Sequence, residues 1–378
     1  MASVSIFTSQ PGKLIYTLFV LGTNAVRLPF WMLYFIPSVL RQNSRWTYTQ
    51  ALGVRIVKAY LSFASAIEMR TTIDLRSGGE GARFVTVRPG KPDRYVGAVA
   101  QDAEIRPVII GGTWYPASPG SASAVGKVAL HFHGGAYVIG DGRTTDVGFA
   151  AKTILSNTPV SHVFAPQYRL ASNPGGRFPA FLQDGITSFL YLTETLNIPA
   201  ENITISGDSA GGHLCLALLR YIADNPVAKL ANPSCAWLWS AWGNPAAALE
   251  PGALKTHRHE PTDYLVERFG MWGARAIRPS KASGITLEHP NVCILGNAFA
   301  TPTPLFFLTG ECEVLYDDAV RMYEEFKAIQ GNKVGLWIAT AAVHDFILVG
   351  HIVRFHKEAA LAAERAGEFW KANGWMMV

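Results

Sequence analysis

Cysteine is scarce in this chain of 378 residues, and its four copies, Cys215, Cys235, Cys293 and Cys312, include no C-x-x-C pair. That argues against a disulfide framework and against a thiol-rich metal or redox site; the four read as small buried hydrophobes. Runs of one charge are missing as well. The formal net charge is +5, yet there is no lysine/arginine tract and no nucleic-acid motif, so no nucleic-acid partner is expected. Internal repeats and low-complexity tracts are absent. What the chain does have is apolar mass. With 49% hydrophobic residues a sizeable core is expected and disorder is not. The length allows one large domain with an insertion, or two ordinary ones.

The first apolar segments are short. Leu14 to Val26 and Leu28 to Leu40 are separated by Arg27 and Pro29, and Pro37 interrupts the second. Each is below the roughly 20 residues needed to span a bilayer. A single span would place Arg27 near the midplane, at a cost in free energy. A signal peptide is disfavoured because Lys13 comes late and no small-residue cleavage site follows. Two main readings remain. Residues 14–40 are helices lying on a membrane surface, with Arg27, Arg41 and Arg45 at the headgroups, or they fold back as part of an apolar lid. A true span or signal is the third. The chain is read as intracellular, with membrane contact through this segment.

Periodicity then organises the rest. Trp46 to Ala66 predicts a helix, with Ala51, Val54, Val57, Leu61 and Ala64 on one face. Strands are expected at residues 84–87, 108–115, 127–133, 161–166, 202–206, 234–242, 304–309 and 334–339. Helices are expected at 146–156, 178–196, 210–223 and 316–329, with a long Ala-rich helix closing the chain at Ala372. Residues 116–126 read as a small-residue loop. The alternation predicts an α/β fold: a mostly parallel eight-stranded sheet covered by helices on both faces. It breaks from Gly243 to Thr303, which is Pro/Gly-rich with one helix-like piece, 262–276; this is too long for a loop and reads as a cap insertion. The expected division is therefore 1–72 (N-terminal apolar helices), 73–242 (core), 243–303 (cap) and 304–378 (core). His257-Arg258-His259 has no Cys or paired carboxylates nearby and reads as a solvated polar face.

The chemistry-bearing stretch is Ile203-Thr204-Ile205-Ser206-Gly207-Asp208-Ser209-Ala210-Gly211-Gly212. A β-branched strand runs into Gly-x-Ser-x-Gly and then into an apolar helix, which is the strand-turn-helix elbow that raises a serine above an α/β-hydrolase sheet. Ser209 is the candidate nucleophile. In that fold the base follows the serine and the acid in chain order. His213 would point back along its helix, so His344, just beyond strand 334–339, is the better base. The acid belongs after strand 304–309, where Glu311, Glu313, Asp317 and Asp318 all stand. Asp317 and Asp318 suit a helix start. Glu313 is preferred, with Glu311 and Asp317 open. An oxyanion needs converging backbone N–H groups, and Gly134, Gly135 and Ala136, with Ala210, are the candidates. His131 and His133 share a strand face as two metal ligands could, but the loop context favours a structural role.

Together, His133-Gly134-Gly135-Ala136, Tyr168-Arg169-Leu170-Ala171, Phe178-Pro179-Ala180 with Asp184, Gly207-Asp208-Ser209-Ala210-Gly211-Gly212 and His344-Asp345-Phe346 resemble the hormone-sensitive-lipase group of α/β-hydrolases over residues 80–370. The resemblance implies that Gly135, Ala136 and Ala210 donate to the oxyanion. It also implies a lid built from residues 1–72 with 243–303. Two positions depart from the pattern. Ala136 replaces a third loop glycine, and Glu313 stands where the group carries aspartate. The apolar start is similar to that of fungal members, several of which trim acyl groups from secondary metabolites.

The expected activity is that of a serine carboxylesterase acting on short to medium acyl esters of small apolar molecules, through Ser209, His344 and Glu313. No metal or organic cofactor is expected, and the expected partner is a small-molecule ester. Tyr137, Trp239, Trp242, Phe269 and Trp272 are candidate pocket residues, each equally suited to the core. Two alternatives stay open: an acyltransferase with the same three residues, or a repurposed non-hydrolytic member catalysing a cyclisation or elimination in secondary metabolism.

Overall fold

The structure, a computed structural model, describes residues 6–119 and 126–373. Most of the expected 116–126 loop and both chain ends lie outside the described residues. Eight strands form one sheet: β1 (Phe84–Val87), β2 (Ile110–Tyr115), β3 (Val128–Phe132), β4 (His162–Gln167), β5 (Ile203–Asp208), β6 (Cys235–Trp239), β7 (Leu305–Gly310) and β8 (Val334–Ala339). Their order is β1-β2-β4-β3-β5-β6-β7-β8. β1 pairs β2, and β2 pairs β4, antiparallel; the remaining pairs are parallel. Every residue of β3, β5, β6 and β7 is buried, as expected of parallel strands covered on both faces.

The helices are α1 (Gly12–Tyr34), α2 (Tyr48–Ala66), α3 (Thr144–Asn157), α4 (Ala180–Leu190), α5 (Ala210–Asp224), α6 (Glu267–Ala276), α7 (Tyr316–Lys327), α8 (Phe346–Val353) and α9 (His356–Asn373). α3, α8 and α9 pack together, with α9 against β6, β7 and β8. α4 and α5 pack together on the other side, α5 against β3, β5 and β6. α2 opens with a capping box in which Thr47 and Gln50 satisfy each other's backbone N–H. Its apolar face, including Val54, Val57 and Leu61, is buried, and the helix packs on α6 and α8.

Three elements differ from the sequence-based expectation. The two N-terminal runs form one 23-residue helix, α1, that continues through Arg27 and Pro29. Pro29 removes one i→i−4 hydrogen bond without ending the helix; the end comes just before Pro37, whose ring disfavours helical backbone at Ile36. Joined in this way, α1 is long and apolar enough to cross a membrane by length and composition. The closing Ala-rich helix is α9, and a short helix that was not expected, α8, precedes it. Arg354 adopts φ 63°, and the Phe355 N–H closes onto the Gly350 carbonyl at 2.9 Å, a left-handed cap that turns the chain between α8 and α9. Within residues 243–303 only Glu267–Ala276 is α-helical, shorter at its start than expected.

Candidate active site

The parallel sheet presents its carboxyl-end loops at one edge, and the serine elbow is the central one. Ser209 sits between β5 and α5 with φ 51° and ψ −114°. A non-glycine residue held there costs about 1–3 kcal/mol, and the surroundings fix it. Its N–H donates to the Trp239 carbonyl (2.8 Å), and its own carbonyl accepts from the N–H groups of His213 (3.1 Å) and Trp242 (3.0 Å). The flanking glycines are required by space. A Cβ on Gly207 would meet the Gly211 carbonyl, and one on Gly211 would meet the Phe132 carbonyl.

The candidate base and acid come from the next two loops. His344 follows β8 and is 2% exposed; Glu313 follows β7 and is fully buried. Nδ1 of His344 lies 3.7 Å from Oε2 of Glu313, within ion-pair distance though longer than a hydrogen bond. Glu313 is held from behind. Ser240 Oγ donates to Oε2 at 2.6 Å, and Thr309 Oγ1 donates to Oε1. Burial pushes the His344 imidazole down, but the Glu313 carboxylate beside it, with Asp263 and Asp208, more than offsets this, and the net shift is upward. The other acids are engaged elsewhere. Glu311 pairs with Arg45 at 2.8 Å, and Asp317 pairs with Arg258 and His257 at the surface. The His257-Arg258-His259 cluster is thus tied to α7.

Asp263, in the insertion of residues 243–303, had no signal in the sequence. Fully buried, it accepts from the N–H of Val314 (2.8 Å) through Oδ2, and from the N–H groups of Tyr264 (2.7 Å) and His344 (3.4 Å) through Oδ1. Burial pushes this carboxyl up, and His344 opposes the shift.

The glycine-rich loop after β3 is shaped by three consecutive positive φ values, at Gly135 (103°), Ala136 (51°) and Tyr137 (63°). Among the described residues, no hydrogen-bond partner occupies the N–H of Gly135 or Ala136. Ala210 is the first residue of α5, where N–H groups have no intrahelical partner. The Tyr168-Arg169 motif buttresses this loop. Tyr168 donates its hydroxyl to the His133 carbonyl at 2.7 Å, and its ring stacks on the imidazole at 4.3 Å. Arg169 is in turn held by buried Asp184, which takes Nη2 at 2.8 Å and the Arg169 N–H at 2.7 Å.

Beneath Ser209 lies a buried polar set that the sequence reading left without a task. His131 Nε2 stands 3.2 Å from Asp208 Oδ1, and its Nδ1 shares a hydrogen bond of 2.9 Å with Ser206 Oγ. Burial together with the neighbouring Asp208 charge pushes the Asp345 carboxyl well up. His213 is occupied on both nitrogens. Nε2 donates to the Val292 carbonyl (2.8 Å), so Nδ1 accepts the Tyr137 hydroxyl (2.6 Å). Burial holds this neutral imidazole down to about 4.

Ser209, His344, Gly134 and Gly135 all open into one cavity of about 660 Å³. Its walls are apolar and come from α2 (Ile56, Tyr60), the 243–303 insertion (Leu265, Phe269) and α8 (Leu348, Val349). Of the aromatic candidates, Phe269 lines this wall. The other four do not. Tyr137 stacks on Phe181 at 4.0 Å and bonds to His213. Trp239 donates to Ser206 Oγ at 2.9 Å. Trp242 and Trp272 are buried in the core. These rings satisfy their polar atoms or apolar area inside the protein. The residues of α2 and α8 that form the wall in their place were legible only as helix faces. A larger cleft of about 1150 Å³ beside α1 and α2 includes Lys58, Glu260 and Arg275 but none of the elbow residues.

Comparison with known proteins agrees with this architecture. A family model described as alpha/beta hydrolase fold matches residues 129–348. An ethyl acetate hydrolase of Pseudomonas putida is 27% identical over 246 residues, which are 60% of this chain and 68% of that protein. An acetyl-hydrolase of Streptomyces hygroscopicus is 28% identical over 51% of this chain, a match that spans only 60% of that protein's length. Among solved structures, an esterase from the bacterial hormone-sensitive lipase family is similar in fold, with a TM-score of 0.60 at 20% identity over 87% of this chain and 99% of that one. The chain belongs to the alpha/beta hydrolase fold family, as a carboxylesterase-like member.

Proposed function

We propose that this protein hydrolyses carboxylic esters of short to medium acyl chains on small apolar molecules, with Ser209 as nucleophile, His344 as base and Glu313 as the acid that orients it. The observation that carries the reading is the shared cavity: the serine, the histidine and the glycine-rich loop open into one apolar space, with a carboxylate behind the histidine. Ser209 Oγ attacks the ester carbonyl while His344 takes its proton. The tetrahedral oxyanion is held by the N–H groups of Gly135, Ala136 and Ala210, with Gly134 giving the loop its approach; losing one such donor costs about 10²–10³ in rate. Collapse expels the alkoxide, which receives the proton from His344 and leaves an acyl-serine. Water, deprotonated by the same imidazole, then releases the carboxylic acid and restores the serine. We assign residues 1–72 and 243–303 to the cap, because α2 and the insertion both wall the cavity and are joined by the Lys58–Glu260 pair at 2.8 Å.

The test is fluorophosphonate labelling followed by intact mass. One adduct on wild type, none on Ser209→Ala, and turnover of p-nitrophenyl butyrate by wild type alone are the expected results. A folded wild-type protein that neither labels nor turns over the ester would refute the reading.

A further inference from the structure

The polarity of α1 is inverted with respect to a helix in water. At about 100° per residue, Lys13, Thr17, Thr23, Asn24 and Arg27 fall on one side together with Val20 and Trp31. That side is the covered one. Lys13, Thr17, Val20, Thr23 and Asn24 are half-buried and Trp31 is buried, with Thr23, Asn24 and Arg27 turned toward Arg55, Lys58 and Ser62 of α2. The opposite side carries Leu14, Ile15, Leu18, Val26 and Leu33, each 54–76% exposed. An amphipathic helix packed for water buries the second set and exposes the first. Contiguous apolar surface on this scale marks a site of contact.

The helix is also pinned along its length. Tyr16 stacks on Phe63 at 6.3 Å toward one end, and the Arg55 guanidinium lies 4.8 Å over Trp31 toward the other. α2 is itself packed on α6 and α8. A helix fastened lengthwise to a folded body lies in the plane of a bilayer instead of crossing it. The charge pattern favours lipid over a second copy of the chain. No Asp or Glu precedes Glu68, whereas Lys13, Arg27, Arg41, Arg45, Arg55 and Lys58 do. Arg45 and Lys58 pair with Glu311 and Glu260, which leaves the α1 side positive. Two like-charged copies would repel, and anionic headgroups would not.

The same side leads to the serine. A groove of about 500 Å³ between α1 and α2 is walled by Leu21, Ala25 and Leu28, and by Ile56 and Tyr60. Ile56 and Tyr60 also wall the Ser209 cavity. Both are 41–48% exposed, as is Ile352 across the rim. We propose that α1 lies in one leaflet of an anionic bilayer and that the ester reaches Ser209 from that leaflet, past Ile56 and Tyr60. The substrate class is then an ester dissolved in membrane lipid. The entry route rests on the hydrolase reading; the leaflet contact does not.

The test uses the full chain and a variant carrying Leu18→Glu and Leu33→Glu, both exposed positions outside the reaction machinery. Wild type is expected to float with vesicles of phosphatidylcholine and phosphatidylserine, more weakly with phosphatidylcholine alone, and the variant to stay at the bottom of the gradient. Hydrolysis of p-nitrophenyl acetate in water is expected to be equal in the two proteins. Hydrolysis of p-nitrophenyl decanoate dissolved in the vesicles is expected to fall about tenfold or more in the variant. Wild type that does not float, or that forms a lipid-free dimer through α1, would overturn the leaflet contact. A variant that keeps its vesicle activity would overturn the entry route. Wild type that floats but hydrolyses neither ester would overturn the hydrolase reading and, with it, the entry route, leaving the leaflet contact supported.

Discussion

Replacing Glu313 with glutamine removes one charge at a fully buried site and keeps the shape. The carboxylate is the foremost of the groups that hold His344 above its ordinary range against the effect of burial. Two hydroxyls, of Ser240 and Thr309, donate to it. Both can rotate, so the amide keeps most of its packing, and the fold is expected to survive. Catalysis is not. The imidazolium formed when Ser209 loses its proton would face an amide where a carboxylate stood, and the histidine tautomer would no longer be fixed. Loss of an acid in this position lowers kcat by about 10⁴, equivalent to about 5 kcal/mol. The pH dependence supplies the sharper readout. His344 must be neutral to accept a proton, so kcat/KM rises as pH passes its pKa. Without Glu313, burial dominates and that limb moves to lower pH. The linked stability runs the other way. In wild type the raised pKa stabilises the protonated form, fully below the unfolded pKa near 6.5, and this is lost as pH rises through the folded value. The assay is a pH–rate profile on p-nitrophenyl butyrate with matched chemical denaturation. A Glu313→Gln enzyme with wild-type kcat and an unmoved acid limb would show that another group orients His344.

Two further predictions concern the support around the site. Asp184→Ala strands the Arg169 guanidinium and releases the Tyr168 loop, so urea denaturation should show a loss of about 3 kcal/mol, with activity falling in the protein that remains folded; an unchanged midpoint would remove Asp184 from the scaffold. Asp141 is raised by burial, against the opposing charge of Arg143, to about 6. A carboxyl raised on folding costs stability as pH climbs from the unfolded pKa through the folded one. Asp141→Asn should therefore be neutral near pH 4 and more stable by about 2 kcal/mol above pH 6, with no such divergence in the melting curves counting against the assignment.

The sheet was readable because the strands are short apolar or β-branched runs, several of them closed by glycine or proline, and residues 84–87 and 334–339 coincide with β1 and β8. The serine elbow was equally plain, since glycine at 207 and 211 answers a collision that any Cβ would cause. Elements set by tertiary contact were harder to read. Nothing local shows that Pro29 would be carried inside one helix, or that Arg354 would take a left-handed cap. The aromatic candidates, suited to pocket and core alike, are divided by the same kind of contact: Phe269 lines the cavity and the other four do not. Trp239 and Tyr137 are drawn inward by Ser206 and His213, and aliphatic and tyrosine side chains from distant helices take the exposed positions instead. Asp263 had no signature because its partners are backbone N–H groups 51 and 81 residues away.

The ties of Asp263 bear on how the cap can be altered. Insertions that shape specificity are commonly treated as exchangeable modules, grafted between relatives to alter what a pocket accepts. Here one buried carboxylate of the insertion is anchored to the backbone of both loops that carry the acid and the histidine. A graft lacking an equivalent carboxylate would leave the Val314 and His344 amides buried and unanswered. The chimera would then lose turnover of every ester alike, and a screen for new selectivity would record it as inactive. Grafts that keep residue 263 as aspartate, and vary the segment on either side, leave that coupling in place.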